Sequence, residues 1–337
     1  MKYISVGQAS IDRAILPDGS CVGVNLGGPG VFGYTGIRLF DDDCQMILNI
    51  AKDFEEYYGE WIRKNHVNTD ALYLVYDKTH AADLIYKEDG SYIQHARTED
   101  ELYDRAAEYG WTNVRPDQIA FHTRNAEGLY IYLEPTFNCF WEQLRDIQAR
   151  NKLRIMYEIS IGHGKEEKRE HVLEVLDILK PEMASLNHNE ASAFFGLTDR
   201  EEIFAKLYAL NIPMFFYRAG SEGSYVLYRQ KSYFMPSIDI GGRKPLDATG
   251  CGNTSTAAAM YAWIKTGNPI MTAIMANIAG GYNVSYTGII KDFTPEQRRE
   301  ALVLAEKYYN EYVSAHPEYV KEGFPAHGAA VLESLFQ

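Results

Sequence analysis

Short apolar runs alternate with helical patterns along most of the chain. Strand patterns lie at Tyr3–Val6, Leu72–Tyr76, Gln118–His122, Arg154–Ile159, Met183–Asn187, Pro213–Tyr217 and Ser224–Tyr228. Helical patterns lie between several of them, at Phe54–Asn65, Lys165–Leu179, Asn189–Phe195 and Arg200–Leu210. The C-terminal third is predicted to be nearly all helical, over Gly252–Lys265, Pro269–Ser285 and Pro295–Ala315. Strands that alternate with helices predict an α/β fold with a parallel, doubly wound sheet.

Two segments near the start of the chain interrupt this alternation. Ile11–Val24 carries a DGS turn between apolar runs, and Ala81–Gln94 carries a KEDGS turn. Both patterns predict β-hairpins. Together they could form a small lid over the carboxyl ends of the parallel strands, where ligands bind in open α/β sheets. Two unrelated surface hairpins explain the same pattern nearly as well.

Composition narrows the class of protein. The formal net charge of −13 argues against nucleic acid or an anionic membrane as the main partner. The four cysteines are far apart and without a CxxC pair, which excludes a disulfide framework and a zinc pattern. The start, MKYISVGQAS, lacks the apolar segment of a signal peptide, so a cytoplasmic location is predicted. The end, LESLFQ at 332–337, resembles a protease-site remnant and is left out of the fold argument.

The stretch DATGCGNTSTAAAMYA at 247–262 is the strongest candidate for chemistry. Its glycines permit a tight turn, and an alanine-rich helical pattern follows at once. Free amides at a helix start favour an anion, although an ordinary glycine-rich cap explains the pattern equally well. The spacing is not that of a Walker A loop. GGPGVFG at 27–33 is a poor dinucleotide fingerprint, so a nicotinamide dehydrogenase is disfavoured.

Three further features offer polar groups after predicted strands. SLNHNEA places Asn187 and Glu190 at a helix start, where they could hold Mg²⁺ directly or through water. On local grounds a helix cap is the better interpretation of this pair. RAGSEG, beginning at Arg218, joins two strands and could approach a nucleotide, or form an ordinary turn. Asp12 could accept hydrogen bonds from sugar hydroxyls, or be solvated in a loop.

Taken in chain order, these segments resemble the ribokinase-like, or PfkB, family of carbohydrate and nucleoside kinases. GQASID resembles the first strand with its sugar-contacting Asp, and GGPGVFG the glycine-rich substrate loop. SLNHNEA matches the N-x-x-E motif, and RAGSEGSYV resembles the T-L-G-x-x-G segment. DATGCGN resembles the D-T-x-G-A-G-D signature, and AGGYNVSYTG the late helix beside the adenine. The likeness extends from Val6 to about Gly288.

The resemblance implies one ribokinase-like domain over 1–337, with lid hairpins at about 11–26 and 81–96. It implies transfer of the ATP γ-phosphoryl group to a sugar or nucleoside hydroxyl, with Mg²⁺ and, near Asp247, a monovalent cation. A homodimer through the lid is also expected, because an exposed sheet edge invites pairing. The roles implied are catalysis for Gly250, Cys251, Gly252 and Asn253; substrate binding for Asp12, Gly27, Gly28 and Phe32; nucleotide binding for Asn187, Arg218, Gly220, Gly223, Thr249 and Asn283; and metal binding for Glu190 and Asp247.

Three positions depart from the family pattern. Asn253 stands where the signature ordinarily ends in an Asp that takes the hydroxyl proton. A neutral amide can orient a hydroxyl but cannot act as a general base, a function typically worth about 10²–10⁴-fold in rate. Phe32 replaces a substrate-contacting Asn, and Glu158 stands where an Asp-Pro-Asn run is frequent. The sequence therefore leaves two hypotheses open: a kinase with altered or slow chemistry, which is favoured, and a silent nucleotide or sugar sensor.

Overall fold

The computed structural model describes residues 1–88, 92–96, 113–134, 137–159 and 166–336. The turn of the second predicted hairpin, at 89–91, and the first residue of the predicted helix Lys165–Leu179 lie outside these ranges. In the described part of the chain, no helix is both long enough and apolar enough to cross a membrane.

The strands form two sheets. They are β1 Tyr3–Val6, β2 Ser10–Ile15, β3 Cys21–Gly27, β4 Cys44–Ala51, β5 Leu72–Tyr76, β6 His80–Tyr86, β7 Tyr92–Ala96, β8 Gly128–Ile131, β9 Arg154–Glu158, β10 Met183–Asn187, β11 Met214–Arg218, β12 Gly223–Tyr228 and β13 Lys231–Pro236. The described strands of the larger sheet are ordered β13-β12-β11-β10-β9-β8-β1-β4-β5. Pairing is parallel from β11 to β5, and β12 and β13 add an antiparallel edge. The predicted mainly parallel sheet is thus confirmed.

Helices cover both faces of this sheet. They are α1 Pro29–Arg38, α2 Phe54–Lys64, α3 Pro116–His122, α4 Asn138–Asn151, α5 Arg169–Leu179, α6 His188–Phe195, α7 Arg200–Ala209, α8 Cys251–Thr266, α9 Pro269–Val284, α10 Pro295–Ala315, α11 Pro317–Lys321 and α12 Gly328–Leu332. Apolar side chains of α1, α2, α8, α9 and α10 form one hydrophobic cluster, and those of α3 to α7 form another. Both clusters pack against the sheet, which gives the layered arrangement expected of a doubly wound fold.

The prediction of a strand at Gln118–His122 is wrong, because this segment belongs to α3. Pro116 occupies the start of that helix, where its missing N–H costs nothing. The side-chain oxygen of Gln118 accepts a hydrogen bond from the backbone N–H of Arg115 at 2.7 Å, which stabilises the first turn. The strands β4, β8 and β13 and the helices α1, α4, α11 and α12 were not predicted.

The smaller sheet contains the two predicted hairpins. Its described strands are ordered β3-β2-β6-β7, with β2 and β6 parallel and the two hairpin pairings antiparallel. The Tyr58 hydroxyl, on α2, lies 2.5 Å from the carbonyl oxygen of Ser10 and 2.7 Å from that of Gly27. This contact fixes the near end of the smaller sheet to the main body.

Glycines let α1 approach its neighbours closely. A Cβ added at Gly36 would collide with the backbone of Thr254 on α8, and one at Gly33 would collide with the ring of Tyr130. A Cβ at Gly30 would collide with the side chain of Leu48. The close approach places the start of α1 beside the start of α8.

The last described residues belong to the fold. Leu332 and Leu335 are buried and join the cluster formed by α8, α9 and α10. These leucines fill part of the hydrophobic core, and the resemblance of 332–337 to a protease-site remnant stays a prediction.

Candidate active site

Polar side chains converge where β9, β10 and β11 end. Parallel pairing aligns Ser185 with Glu158 and Asn187 with Arg218, so the ends of the three strands lie side by side. The first turn of α8 faces the same edge, since the Arg218 guanidinium lies against Gly252. This edge is where open α/β sheets bind ligands.

The start of α8 has the geometry of an anion site. Gly250 precedes the helix with φ +75°, a left-handed conformation that favours glycine. Within the described residues no side chain caps this helix, and the Cys251 amide donates to the carbonyl oxygen of Ala248 at 3.2 Å, so the amides of Gly252 and Asn253 are the first-turn donors left for a ligand. Unpaired amides and the helix dipole favour an anion such as a phosphate. The arrangement fits the role implied for Gly250, Cys251 and Gly252, which stays a prediction.

The loop before α8 is held in place by Asp247. One carboxylate oxygen accepts hydrogen bonds from the Thr249 amide at 2.9 Å and the Tyr86 hydroxyl at 2.8 Å. The other accepts from the Gly288 amide at 3.0 Å. Asn283 donates its side-chain amide to the carbonyl oxygen of Thr249 at 2.8 Å. Because both oxygens of Asp247 are engaged, its visible role is to shape the loop.

Tyr86 connects the smaller sheet to this loop. It belongs to β6, and its hydroxyl also lies 3.0 Å from the hydroxyl of Thr249. The contact shows that the smaller sheet closes over the start of α8. Sequence reasoning missed Tyr86, and no local pattern singles it out.

Lys291 is a positive group close to Asp247. Burial lowers the pKa of its ammonium, while the charge of Asp247 acts in the opposite direction. The monovalent cation expected near Asp247 stays a prediction.

Asn253 lies at the end of a hydrogen-bonded chain. The buried Tyr130 hydroxyl donates to Glu158 at 2.6 Å and accepts from the Asn253 side-chain amide at 3.1 Å. The single hydroxyl proton of Tyr130 is committed to the carboxylate, so the Asn253 group facing Tyr130 has to be the NH₂ donor. The carbonyl oxygen of Asn253 therefore faces away from Tyr130 and is available as an acceptor.

A buried ion triad lies behind this chain. Arg218 contacts Glu158 at 3.0 Å and Glu190 at 3.1 Å through its two terminal nitrogens. Its Nε donates to the Ser185 hydroxyl at 3.2 Å. Glu158 is only 1% exposed, and burial raises its pKa, opposed by Arg218 and by the Tyr130 hydrogen bond. A buried charge requires such partners, so the triad depends on all its members.

Asn187 and Glu190 form a capping box at the start of α6. The Asn187 side chain accepts from the Glu190 amide, and the Glu190 carboxylate accepts from the Asn187 amide, each at 2.8 Å. This confirms the cap interpretation. The same Glu190 oxygen also contacts Arg218, and both oxygens of Glu158 are engaged. In the described ranges no group of three or more His, Cys, Asp or Glu side chains could hold a metal ion. Three of the four oxygens of Glu158 and Glu190 are thus engaged by protein donors, which makes this pair a poor direct ligand set for Mg²⁺.

The predicted substrate residues meet beside the start of α8. Asp12 and Gly27 are neighbours on β2 and β3, since a Cβ added at Gly27 would collide with the Asp12 carboxylate. Phe32 lies in the first turn of α1, for which Gly28 is the N-cap. Its ring is 3% exposed and packs between Gly27 and Gly250. The apolar ring of Phe32 therefore borders both the predicted substrate residues at Gly27 and the start of α8 at Gly250.

Gly220 and Gly223 have a clear local role. Gly220 begins a 3₁₀ turn with φ +61°, and Gly223 has φ +128°. A Cβ at Gly223 would collide with the carbonyl oxygen of Met235. In this segment it is the Arg218 side chain that reaches α8. The nucleotide role of the two glycines stays a prediction.

Comparison with known proteins places this geometry in context. Residues 2–297 match the family model described as pfkB family carbohydrate kinase. The search of curated proteins gave no significant sequence match.

Similar solved structures share the fold at low sequence identity. Burkholderia thailandensis nucleoside kinase in complex with inosine is 13% identical with a TM-score of 0.68, covering 92% of this chain and 97% of its own. A probable sugar kinase from Rhizobium etli is 16% identical with a TM-score of 0.71, covering 90% and 98%. Arabidopsis thaliana ribokinase complexed with ribose and ATP is 17% identical with a TM-score of 0.67, covering 90% and 98%.

Proposed function

The chain belongs to the pfkB family of carbohydrate kinases, and from this premise we propose its reaction: transfer of the ATP γ-phosphoryl group to a hydroxyl of a sugar, sugar derivative or nucleoside. The observation that carries the proposal is the start of α8 without a side-chain cap, which lies against Phe32, while Phe32 and Asp12 both lie against Gly27. An anion site beside a buried carboxylate suits a phosphoryl donor that meets a hydroxylated acceptor.

Each group has a defined task in this proposal. The amides of Gly250 and Gly252 stabilise negative charge on the transferred group, while the Cys251 amide holds the turn through the carbonyl oxygen of Ala248. The free carbonyl oxygen of Asn253 accepts a hydrogen bond from the attacking hydroxyl and so orients it. The hydroxyl proton passes to a phosphoryl oxygen, because the neutral amide cannot take it. A loose transition state with little bond formation to the attacking oxygen tolerates such late proton transfer.

The proposed acceptor, a sugar or a nucleoside, would bind beside the buried ring of Phe32. Inosine and ribose are the acceptors present in two of the similar structures, which supports testing both nucleosides and sugars. Asp12 would bind acceptor hydroxyls, and the buried ring of Phe32 would exclude water from the transfer path. The donor proposed is ATP, as present with Arabidopsis ribokinase. No step is assigned to Mg²⁺ held by the protein, because the carboxylates near α8 do not fit it.

The decisive test is acceptor-dependent release of ADP from ATP across a panel of sugars and nucleosides. Turnover on one member is expected, and Asp12→Asn should abolish it. Asp177→Asn, an exposed aspartate on α5, is the matched control and should leave turnover unchanged. Equal turnover in Asp12→Asn and wild type would exclude the acceptor role of Asp12.

A silent nucleotide or sugar sensor is the second candidate. Asn253 favours it, because the chain Asn253–Tyr130–Glu158 holds an amide where the family pattern has a carboxylate. A sensor binds ATP and acceptor, detectable by calorimetry, without releasing ADP on any panel member. A kinase does both.

The outer face of the smaller sheet supports pairing with a second copy of the chain. Val24, Ile85 and Ile93 are 49%, 40% and 55% exposed on three strands of this sheet. Exposed apolar side chains of this kind often mark an interface. We expect light scattering to give a dimer mass for the wild type, and Ile85→Lys with Ile93→Lys to give a monomer. A wild-type monomer would contradict the dimer.

A further inference from the structure

Arg218 occupies an unusual position in this site. It stands at the first position of a segment whose family pattern begins with Thr, so a long cation replaces a short hydroxyl. Strand β11 ends at Arg218, and the side chain reaches both Glu158 on β9 and Glu190 on α6. The guanidinium thus lies between the carboxylates of Glu158 and Glu190.

The contacts of Arg218 occupy carboxylate oxygens that a divalent ion would otherwise use as ligands. One oxygen of Glu158 is bonded to Arg218 and the other to Tyr130. One oxygen of Glu190 accepts from both Arg218 and the Asn187 amide. Mg²⁺ at a phosphate site is usually held by one or two carboxylates with phosphates and waters, and here three of the four oxygens of Glu158 and Glu190 are already engaged by protein donors.

The guanidinium also faces the anion site. A Cβ built at Gly252 would collide with one terminal nitrogen of Arg218, so that nitrogen lies directly against the first turn of α8. The Arg218 side chain contacts Glu158, Glu190 and Ser185. Because each terminal nitrogen carries more than one N–H, donors remain for a further ligand. A phosphate at the start of α8 would meet helix amides and a guanidinium together.

We propose that Arg218 is a built-in cation for the phosphates of the bound nucleotide, and that this chain binds its nucleotide without a divalent ion. The inference rests on the proposed nucleotide site and adds to it the source of positive charge. Glu158 and Glu190 hold the guanidinium in place, and the amides of Gly252 and Asn253 complete the site. The role of the two carboxylates is to position Arg218 instead of a metal.

The test measures binding of the non-hydrolysable analogue AMP-PNP to the full chain by calorimetry, in excess MgCl₂ and in EDTA. The wild type is expected to bind with dissociation constants that agree within about twofold, since the protein supplies the charge. Arg218→Met is expected to bind about tenfold to a hundredfold more weakly in EDTA, the loss typical of a hydrogen bond to a charged group. Arg154→Met is the matched control, because Arg154 pairs with Glu182 at the opposite end of β9 from Glu158 and the variant should bind like the wild type.

A second measurement follows the metal itself. Mn²⁺ binding, detected by electron paramagnetic resonance without nucleotide, should be weak in the wild type and appear in Arg218→Met, where Glu158 and Glu190 are released. If Arg218→Met does not fold, the wild type in MgCl₂ and in EDTA still decides the question.

The outcomes separate the two proposals. Binding by the wild type that falls more than about tenfold in EDTA overturns the built-in cation and leaves the kinase proposal standing. Binding by Arg218→Met equal to that of the wild type in EDTA also overturns it. Absence of AMP-PNP binding under both conditions overturns the nucleotide site, and the inference falls with it.

Discussion

Replacing Asn253 with Asp restores the family's carboxylate but disturbs the chain behind it. The Asn253 amide donates to Tyr130, and Tyr130 donates to Glu158. In Asn253→Asp this donor is lost, and two carboxylates compete for the single proton of one hydroxyl. We therefore expect the variant to be less stable than the wild type at pH 7.

The geometry sets the size of the effect. With contacts of 3.1 and 2.6 Å on the two sides of Tyr130, the carboxylate introduced by Asn253→Asp would lie ~5 Å from that of Glu158. At an effective dielectric constant of ~20, their repulsion is about 3 kcal/mol. Position 253 is partly exposed, so solvent reduces this repulsion, and we expect a loss of about 1–3 kcal/mol in the free energy of unfolding.

The pH dependence has a definite sign. Two carboxylates that share a site raise the pKa of one of them above its unfolded value. The destabilisation is therefore present at pH 7 and shrinks as the pH falls through the raised pKa, because the folded variant then binds a proton.

The assay is urea unfolding followed by circular dichroism at pH 7 and at pH 5. Asn138→Asp is the matched control, because Asn138 also donates to a carboxylate, Glu174, but at the exposed surface. It should change stability by less than about 0.5 kcal/mol. A double-mutant cycle with Tyr130→Phe should give a coupling energy between positions 130 and 253. An Asn253→Asp variant as stable as the wild type at both pH values would refute the proposed hydrogen-bonded chain.

Three further predictions concern the start of α8 and the lid. Gly250→Ala should lose about 2–4 kcal/mol of stability, from its positive φ and its contact with an aromatic ring, whereas Gly242→Ala, which also has a positive φ but open surroundings, should lose about 1 kcal/mol by thermal unfolding. Burial raises the pKa of Cys251 to about 11, so at pH 8 its thiolate is about a hundredfold scarcer than that of an ordinary thiol. Mass spectrometry should show that iodoacetamide modifies the exposed Cys139 before Cys251. Equal rates at the two cysteines would contradict the burial of Cys251. Tyr86→Phe removes a hydrogen bond between lid and core worth about 1 kcal/mol, and should raise the acceptor KM about fivefold with little change in kcat.

The sequence predicted the elements wherever the periodicity was strong and the turn residues were informative. It failed at Gln118–His122, where an apolar run resembled a strand but Pro116 and the Gln118 side chain start a helix. It also missed the helix that begins at Pro29, because the surrounding glycines indicated a loop. In both places a proline in the first turn marks the start of the helix, and short apolar patterns do not report it.

The candidate site was predicted in part. Motif order pointed to the glycines before α8, to Asp12 and to the pair Asn187–Glu190. The partnership of Arg218 with Glu158 was not predictable, because the two residues lie on β11 and β9 and meet only across β10. Such contacts depend on strand order, which a single sequence does not reveal.

The tight fit of α1 limits how this chain can change over evolutionary time. A larger residue at Gly33 requires a smaller one at position 130, yet Tyr130 holds Glu158 and Asn253 in place. At Gly36 the obstacle is the main chain of Thr254, so no exchange of a neighbouring side chain can compensate. Substitution on this buried face of α1 is therefore coupled to the positions of Glu158 and Asn253. Homologues that vary at position 33 should co-vary at position 130.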